Sequence, residues 1–188
     1  MKFKKVKLND KTENFVDSAT GEIKNETAPR FNVKISADMF LWLTEKAKQG
    51  IFNKSQLLSS LYFNKNDYFN DLDMIKVFDK AKAANMGIRD FIAYKLHLKD
   101  KTSIKSQAHK IEQKHLVGVY VDIKKRKEAN MIADSVNLSI QNYGYLKVLF
   151  AMETEDLLSF EEMVKIKKEA EKYQLEVGQY IALRVLFE

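Results

Sequence analysis

Arg30, Asn32 and Lys34 alternate along one short stretch and carry hydrogen-bond donors that can reach the edges of bases. Arg and Lys donate to guanine O6 and N7, and Asn pairs bidentately with adenine. A second group, Asn53, Lys54 and Ser55, joins a capping residue to a cation and a hydroxyl, the chemistry that anchors a phosphate at a helix N-terminus. A third, Lys124, Lys125, Arg126 and Lys127, is the densest basic run and can hold backbone phosphates through charge. Each group also has a purely structural reading: a solvated strand face where lysine discourages edge pairing, an ordinary helix cap, and a solvated first turn. The third is the hardest to explain by stability alone, because four cations at a helix N-terminus oppose the helix dipole. An anionic partner would relieve them.

Catalytic chemistry has less to work with. The chain has no cysteine, which removes disulfides, thiol nucleophiles and cysteine-ligated metals and fits a reducing compartment. His97, His109 and His115 lack the spacing of a triad or a metal site, and the six glycines are scattered rather than gathered into a phosphate loop. The carboxylates Glu153, Glu155 and Asp156, and the pair Glu161-Glu162, read as capping and solubilising groups on exposed surface near a helix start. Trp42, Phe40 and the tyrosines fall at helical spacing and read as core rather than as a stacking platform for single strands. The expectation is a protein that is not an enzyme and takes neither cofactor nor metal.

The elements that must position these groups fit within 188 residues, enough for one large domain or two small ones, and the 45% hydrophobic content suits a chain with an ordered core. The net charge of +6 is uneven: +1 over 1–28, +4 over 29–100, +6 over 101–127 and −5 over 128–188. A polyanion would therefore meet residues 29–127, and the acidic end is the natural face for a protein partner. Apolar stretches such as Met39 to Leu43 are too short to span a bilayer, and the start MKFKKVKLNDK has no apolar core for a signal peptide. The expectation is a cytoplasmic chain without a membrane partner.

Alternation in Lys2–Leu8 and Phe15–Ile23, with Gly21 at a turn, predicts an N-terminal arm with a small hairpin over 1–28. Pro29 marks a boundary. Phe31, Val33 and Ile35 then share one face of a strand, followed by a helix from Ala37 to about Gln49 with Ser36 as N-cap and Gly50 at a left-handed C′ position. A second helix starts at Asn53, whose spacing to Gln56 suits a capping box.

This pair of helices recurs. A shift of 34 lays Phe40–Lys48 on Met74–Lys82, a shift of 89 lays Met74–Leu98 on the chain's end, and a shift of 88 lays Phe31–Ile35 on Val119–Ile123. Four helix pairs follow, at roughly 37–63, 71–98, 125–151 and 160–187. Strands precede the first and third, with stubs at Tyr68-Phe69 and Leu157-Leu158 before the others. The division is an arm over 1–28, a basic pair of units over 29–99, a basic linker or solvated helix over 100–114, and a second pair over 115–188 with strand 117–123.

A strand with alternating polar and apolar residues, followed by two helices, resembles the ribbon-helix-helix family of DNA-binding proteins. The resemblance implies a mainly α protein of tandem strand-helix-helix units whose paired strands lie in the major groove. On the first unit it places Arg30, Asn32 and Lys34 on the reading face and Asn53, Lys54 and Ser55 at the phosphate. On the third, the outward positions are Gly118, Tyr120 and Asp122, and the carboxylate departs from the pattern. The implied partner is double-stranded DNA, and the implied role a repressor or a plasmid or phage accessory factor in partition, replication or transfer. Two geometries compete: strand 30–36 pairs with its copy in a homodimer, or with strand 117–123 of the same chain in an intramolecular pseudo-dimer, which two good strands in one sequence favour. The rival from another class is a helical protein-interaction module that does not bind DNA, with its partner on 128–188.

Overall fold

A computed structural model describes the backbone of residues 3–9, 12–17, 23–24, 30–50, 52–104 and 115–187, and the side chains from Arg30 onward within those spans. The chain is mainly helical, with short strands. Strands β1 (Phe3–Asn9), β2 (Thr12–Asp17) and β3 (Ile23–Lys24) form an antiparallel sheet in the order β1-β2-β3. The Gly21 turn lies outside the described residues, as does His109.

Strand β4 (Arg30–Ile35) pairs antiparallel with β5 (His115–Tyr120), making a two-stranded ribbon within one chain. Phe31, Val33 and Ile35 of β4 and Val117 and Val119 of β5 are buried on one face, the direct consequence of a period of two. The second strand starts at His115, opposite Ile35, rather than at 117, and it stops at Tyr120, short of 123, because Asp122 leaves the strand to cap the next helix, its carboxylate accepting from the Lys125 N–H at 2.7 Å. The Asp122 carboxylate is therefore not on the ribbon's outward face.

Eight α-helices occur among the described residues, in four pairs: α1 (Ala37–Gln49) with α2 (Lys54–Phe63), α3 (Asp71–Ala83) with α4 (Ile88–Lys95), α5 (Ile123–Ser135) with α6 (Ile140–Thr154), and α7 (Phe160–Lys172) with α8 (Val177–Phe187). The residues preceding the two helices of each pair, Ser36 and Asn53, Asn70 and Gly87, Asp122 and Ser139, and Ser159 and Glu176, are always 17 positions apart. Ser36 accepts from Met39 N–H, and Asn53 and Gln56 form the expected capping box. Ala47, Ala81, Ala133 and Ala170 hold one place in the four units. After α3, α5 and α7 the chain turns through a left-handed residue, Asn85, Asn137 or Gln174, and the N–H of the residue that follows it returns to that unit's alanine carbonyl. Gly50 does not fill this role in the first unit; its φ is −103°. The caps also correct one alignment, since Ser36 to Asp122 and Asn53 to Ser139 are shifts of 86, not 88.

The pairs pack across the two halves of the chain. Beneath the ribbon, α2 lies against β5 and α6 against β4, so each strand is covered by the second helix of the other unit. Phe31, Tyr62 and Tyr143 meet edge to face there, with centroids 4.9 and 4.8 Å apart. The Tyr62 hydroxyl donates to the Ala129 carbonyl at 3.0 Å. Burial raises both tyrosine hydroxyls well above the usual tyrosine range, so they stay protonated. A second core joins α3, α4, α7, α8 and one side of α6, and Phe69 and Leu157, at the two expected stubs, enter it as side chains with no strand. Helix α6 serves both cores, giving Tyr143 and Val148 to one and Leu146 and Phe150 to the other. Its Lys147, 5% exposed, donates to the Asn64 carbonyl at 2.6 Å and to Asp71 at 3.3 Å, tying the end of α2 to the start of α3.

Candidate nucleic-acid interface

The ribbon's outward face is built by register. Arg30 stands opposite Tyr120, Asn32 opposite Gly118, and Lys34 opposite Leu116. Arg30, Lys34, Leu116 and Tyr120 are exposed and Asn32 half-buried, so three polar donors lie along one strand with an apolar surface along the other. Leu116 becomes an outward residue only because β5 starts at His115. Its alternation with Val117 carries that signal, once the strand end is known.

Basic charge frames the Arg30 end. Helix α5 begins two residues after β5, and its first turns carry Lys124, Lys125, Arg126 and Lys127, of which all but Arg126 are exposed. Arg126 turns inward: its guanidinium donates to the Arg30 carbonyl at 3.3 Å and lies 5.3 Å from the Phe31 ring centroid. It fastens the basic turn to the edge of the ribbon; of the three exposed lysines, Lys125 lies 5.7 Å from the Phe63 ring centroid. The Asp122 cap offsets part of their conflict with the helix dipole.

Asn53, Lys54 and Ser55 are brought beside β5 rather than β4. The Ser55 hydroxyl accepts from the Tyr120 N–H at 3.4 Å, which pins the start of α2 to the strand. Asn53 is occupied as a cap, and the Lys54 ammonium sits 4.2 Å from the centroid of the Phe40 ring, itself stacked on His115 at 4.6 Å. Between β5 and the start of α2 runs a groove of about 830 Å³ walled by Phe40, Phe52, Lys54, Leu116, Gly118 and Tyr120. The lone glycine there, Gly118, would place a Cβ 3.4 Å from the Asn32 amide oxygen.

The carboxylates after α6 are not a free acidic surface. Glu155 accepts from the Trp42 indole N–H at 2.6 Å and pairs with Lys46, while the Arg89 guanidinium donates to the Glu155 and Asp156 carbonyls and the Arg89 N–H to Glu153. They bind α1 and α4 to the end of α6, where a cation suits the helix dipole. Burial pushes the Glu155 carboxyl up, but hydrogen bonds from Lys46 and Trp42 outweigh it and hold the group below the usual range. Glu162 does act as a cap, accepting from the Ser159 N–H. No group of three or more His, Cys, Asp or Glu residues among the described residues could hold a metal, and no described helix is long and apolar enough to cross a membrane.

No family model, curated protein or solved structure matches this chain. Its function is therefore read from the ribbon and the surfaces around it.

Proposed function

We propose that the chain is a double-stranded DNA-binding protein in which 30–63 and 115–154 act as the two halves of one ribbon-helix-helix-like unit, and that the β4-β5 ribbon enters the major groove. The observation that carries this reading is the ribbon itself: paired within one chain, buried on one face, and presenting Arg30, Asn32 and Lys34 on the other. A two-stranded ribbon is narrow enough for the major groove, and these three side chains are the residue types that read purine edges. Lys124, Lys125 and Lys127 at one end would meet phosphates. The role as a repressor or as an accessory factor in plasmid or phage partition, replication or transfer follows from the family resemblance alone.

The test is titration of labelled duplex, both random sequence and the DNA upstream of the protein's own gene, at several salt concentrations. Replacing Asn32 or Lys34 with Ala is expected to weaken binding to the preferred sequence by about 1 to 3 kcal/mol each while leaving the fold intact. Equal binding by the double variant would remove β4 from the interface.

A second reading, a protein-binding module, is favoured by a different observation: Phe160 and Phe187 are 83% and 75% exposed in the last helix pair, at the end of the net-acidic stretch 128–188. Failure to bind any duplex at low salt would turn the search to that surface.

A further inference from the structure

We propose that one chain reads one DNA site lacking dyad symmetry, with β4 set against purine edges and β5 against thymine methyl groups. This deepens the reading of the ribbon as a major-groove element and rests on it. A ribbon made from two copies of one strand places each outward residue opposite its symmetry mate, so it demands an inverted repeat. Here the register pairs unlike residues throughout: Arg30 with Tyr120, Asn32 with Gly118, Lys34 with Leu116.

The strand β4 offers guanidinium, amide and ammonium donors. The strand β5 offers a leucine that is 57% exposed, a glycine, and a tyrosine that is 64% exposed. Large apolar groups held in water on a flat strand face gain free energy when they are covered. In the major groove the apolar feature a base pair presents is the C5-methyl group of thymine. Gly118 keeps the middle of the ribbon low, since a Cβ there would stand in van der Waals contact with the Asn32 amide that must reach a base. The two ends differ as well. The Arg30 end meets the cationic start of α5, whereas the Lys34 end runs into α1, whose first turn holds the exposed Asp38. The interface is thus polar both across the ribbon and along it, which fixes one orientation on the duplex.

Selection of the full-length chain against a random duplex library, followed by the mass of the selected complex, tests the symmetry. The expected result is a consensus without an inverted repeat, bound by one chain. Deoxyuridine is then substituted for thymidine in the selected site, removing only the methyl groups. Each methyl covered by β5 is expected to be worth about fourfold in affinity, from roughly 0.8 kcal/mol per buried methylene-sized group. Leu116→Ala, a change at an exposed position whose fold is checked by circular dichroism, should abolish part of that loss. An inverted-repeat consensus bound by two chains, or a deoxyuridine penalty unchanged in both Leu116→Ala and Tyr120→Ala, overturns the proposal while leaving the DNA-binding reading in place. No enrichment of any sequence at low salt overturns the DNA-binding reading and the proposal with it.

Discussion

Gly144 decides how closely α6 can lie against β4. A Cβ at this position would come within 2.6 Å of one Val33 methyl and 3.1 Å of the other, and Val33 is fully buried with nowhere to move. The place related to it by the 86-residue shift is Leu58, a large buried side chain, so the two sides of the ribbon are packed by different means. Gly144→Ala is expected to destabilise the fold by about 1 to 3 kcal/mol, read as a lowered urea midpoint with an unchanged slope. Wild-type stability would show that the helix can back away at no cost. Glu155 acts at the same scale. Its carboxyl titrates below its ordinary 4.5 in the folded chain, so its contribution is complete above that value and is lost as the pH falls further, through the lowered value. Stability measured from neutral pH downward should therefore fall more steeply in the wild type than in Glu155→Gln. Parallel curves would mean that the bonds to Lys46 and Trp42 add nothing.

The start of α5 is the element in which stability and proposed function disagree most. Three exposed lysines crowd a helix N-terminus that already carries a positive dipole end, with the Asp122 cap as partial compensation. Replacing Lys124, Lys125 and Lys127 with Gln, and sparing Arg126 because it packs on Phe31, separates the two roles. The variant is expected to be no less stable than the wild type. Its DNA affinity should fall for all sequences alike, and its log affinity against log salt should flatten by up to about 0.9 for each phosphate that is no longer neutralised. An unchanged slope would take this turn out of the interface. The matching start of α1 carries Asp38 in place of the lysines, although both helices have the same length and the same cap spacing. The element is repeated in geometry while its surface chemistry is not.

At the scale of the whole molecule, the ribbon closes within one chain and each strand is roofed by the second helix of the other unit. A folded chain therefore needs no partner copy to complete its sheet. Light scattering without DNA should give the mass of one chain, 21.9 kDa, and the urea midpoint should not move with protein concentration. A midpoint that rises with concentration would place a second copy in the folding unit. Helix α6 lies in both cores, and Lys147 joins the end of α2 to the start of α3. The two halves of the sequence are thereby interleaved rather than laid side by side.

Local rules determined much of this. The alternation of Phe31, Val33 and Ile35 fixed which face of β4 is buried, Ser36 and Asn53 fixed two helix starts, and the shifts of 34 and 89 between helix pairs were readable from recurring apolar positions, whereas the shift of 88 was two residues too long. Where the second strand stops was not readable. Val117, Val119, Val121 and Ile123 continue one alternating pattern through Asp122, and a period of two gives a face without giving an end. The end is set by the Asp122 cap, which takes Asp122 off the outward face, while the start at His115, opposite Ile35, adds Leu116 to it. Partners distant in sequence were equally hidden: Trp42 and Glu155 are 113 residues apart, and Arg126 reaches Arg30 across 96. Composition and periodicity describe each segment's own preferences. Which strand pairs with which, and which charge is spent on the fold rather than left for a partner, is decided only when the segments compete for the same neighbours in the packed chain.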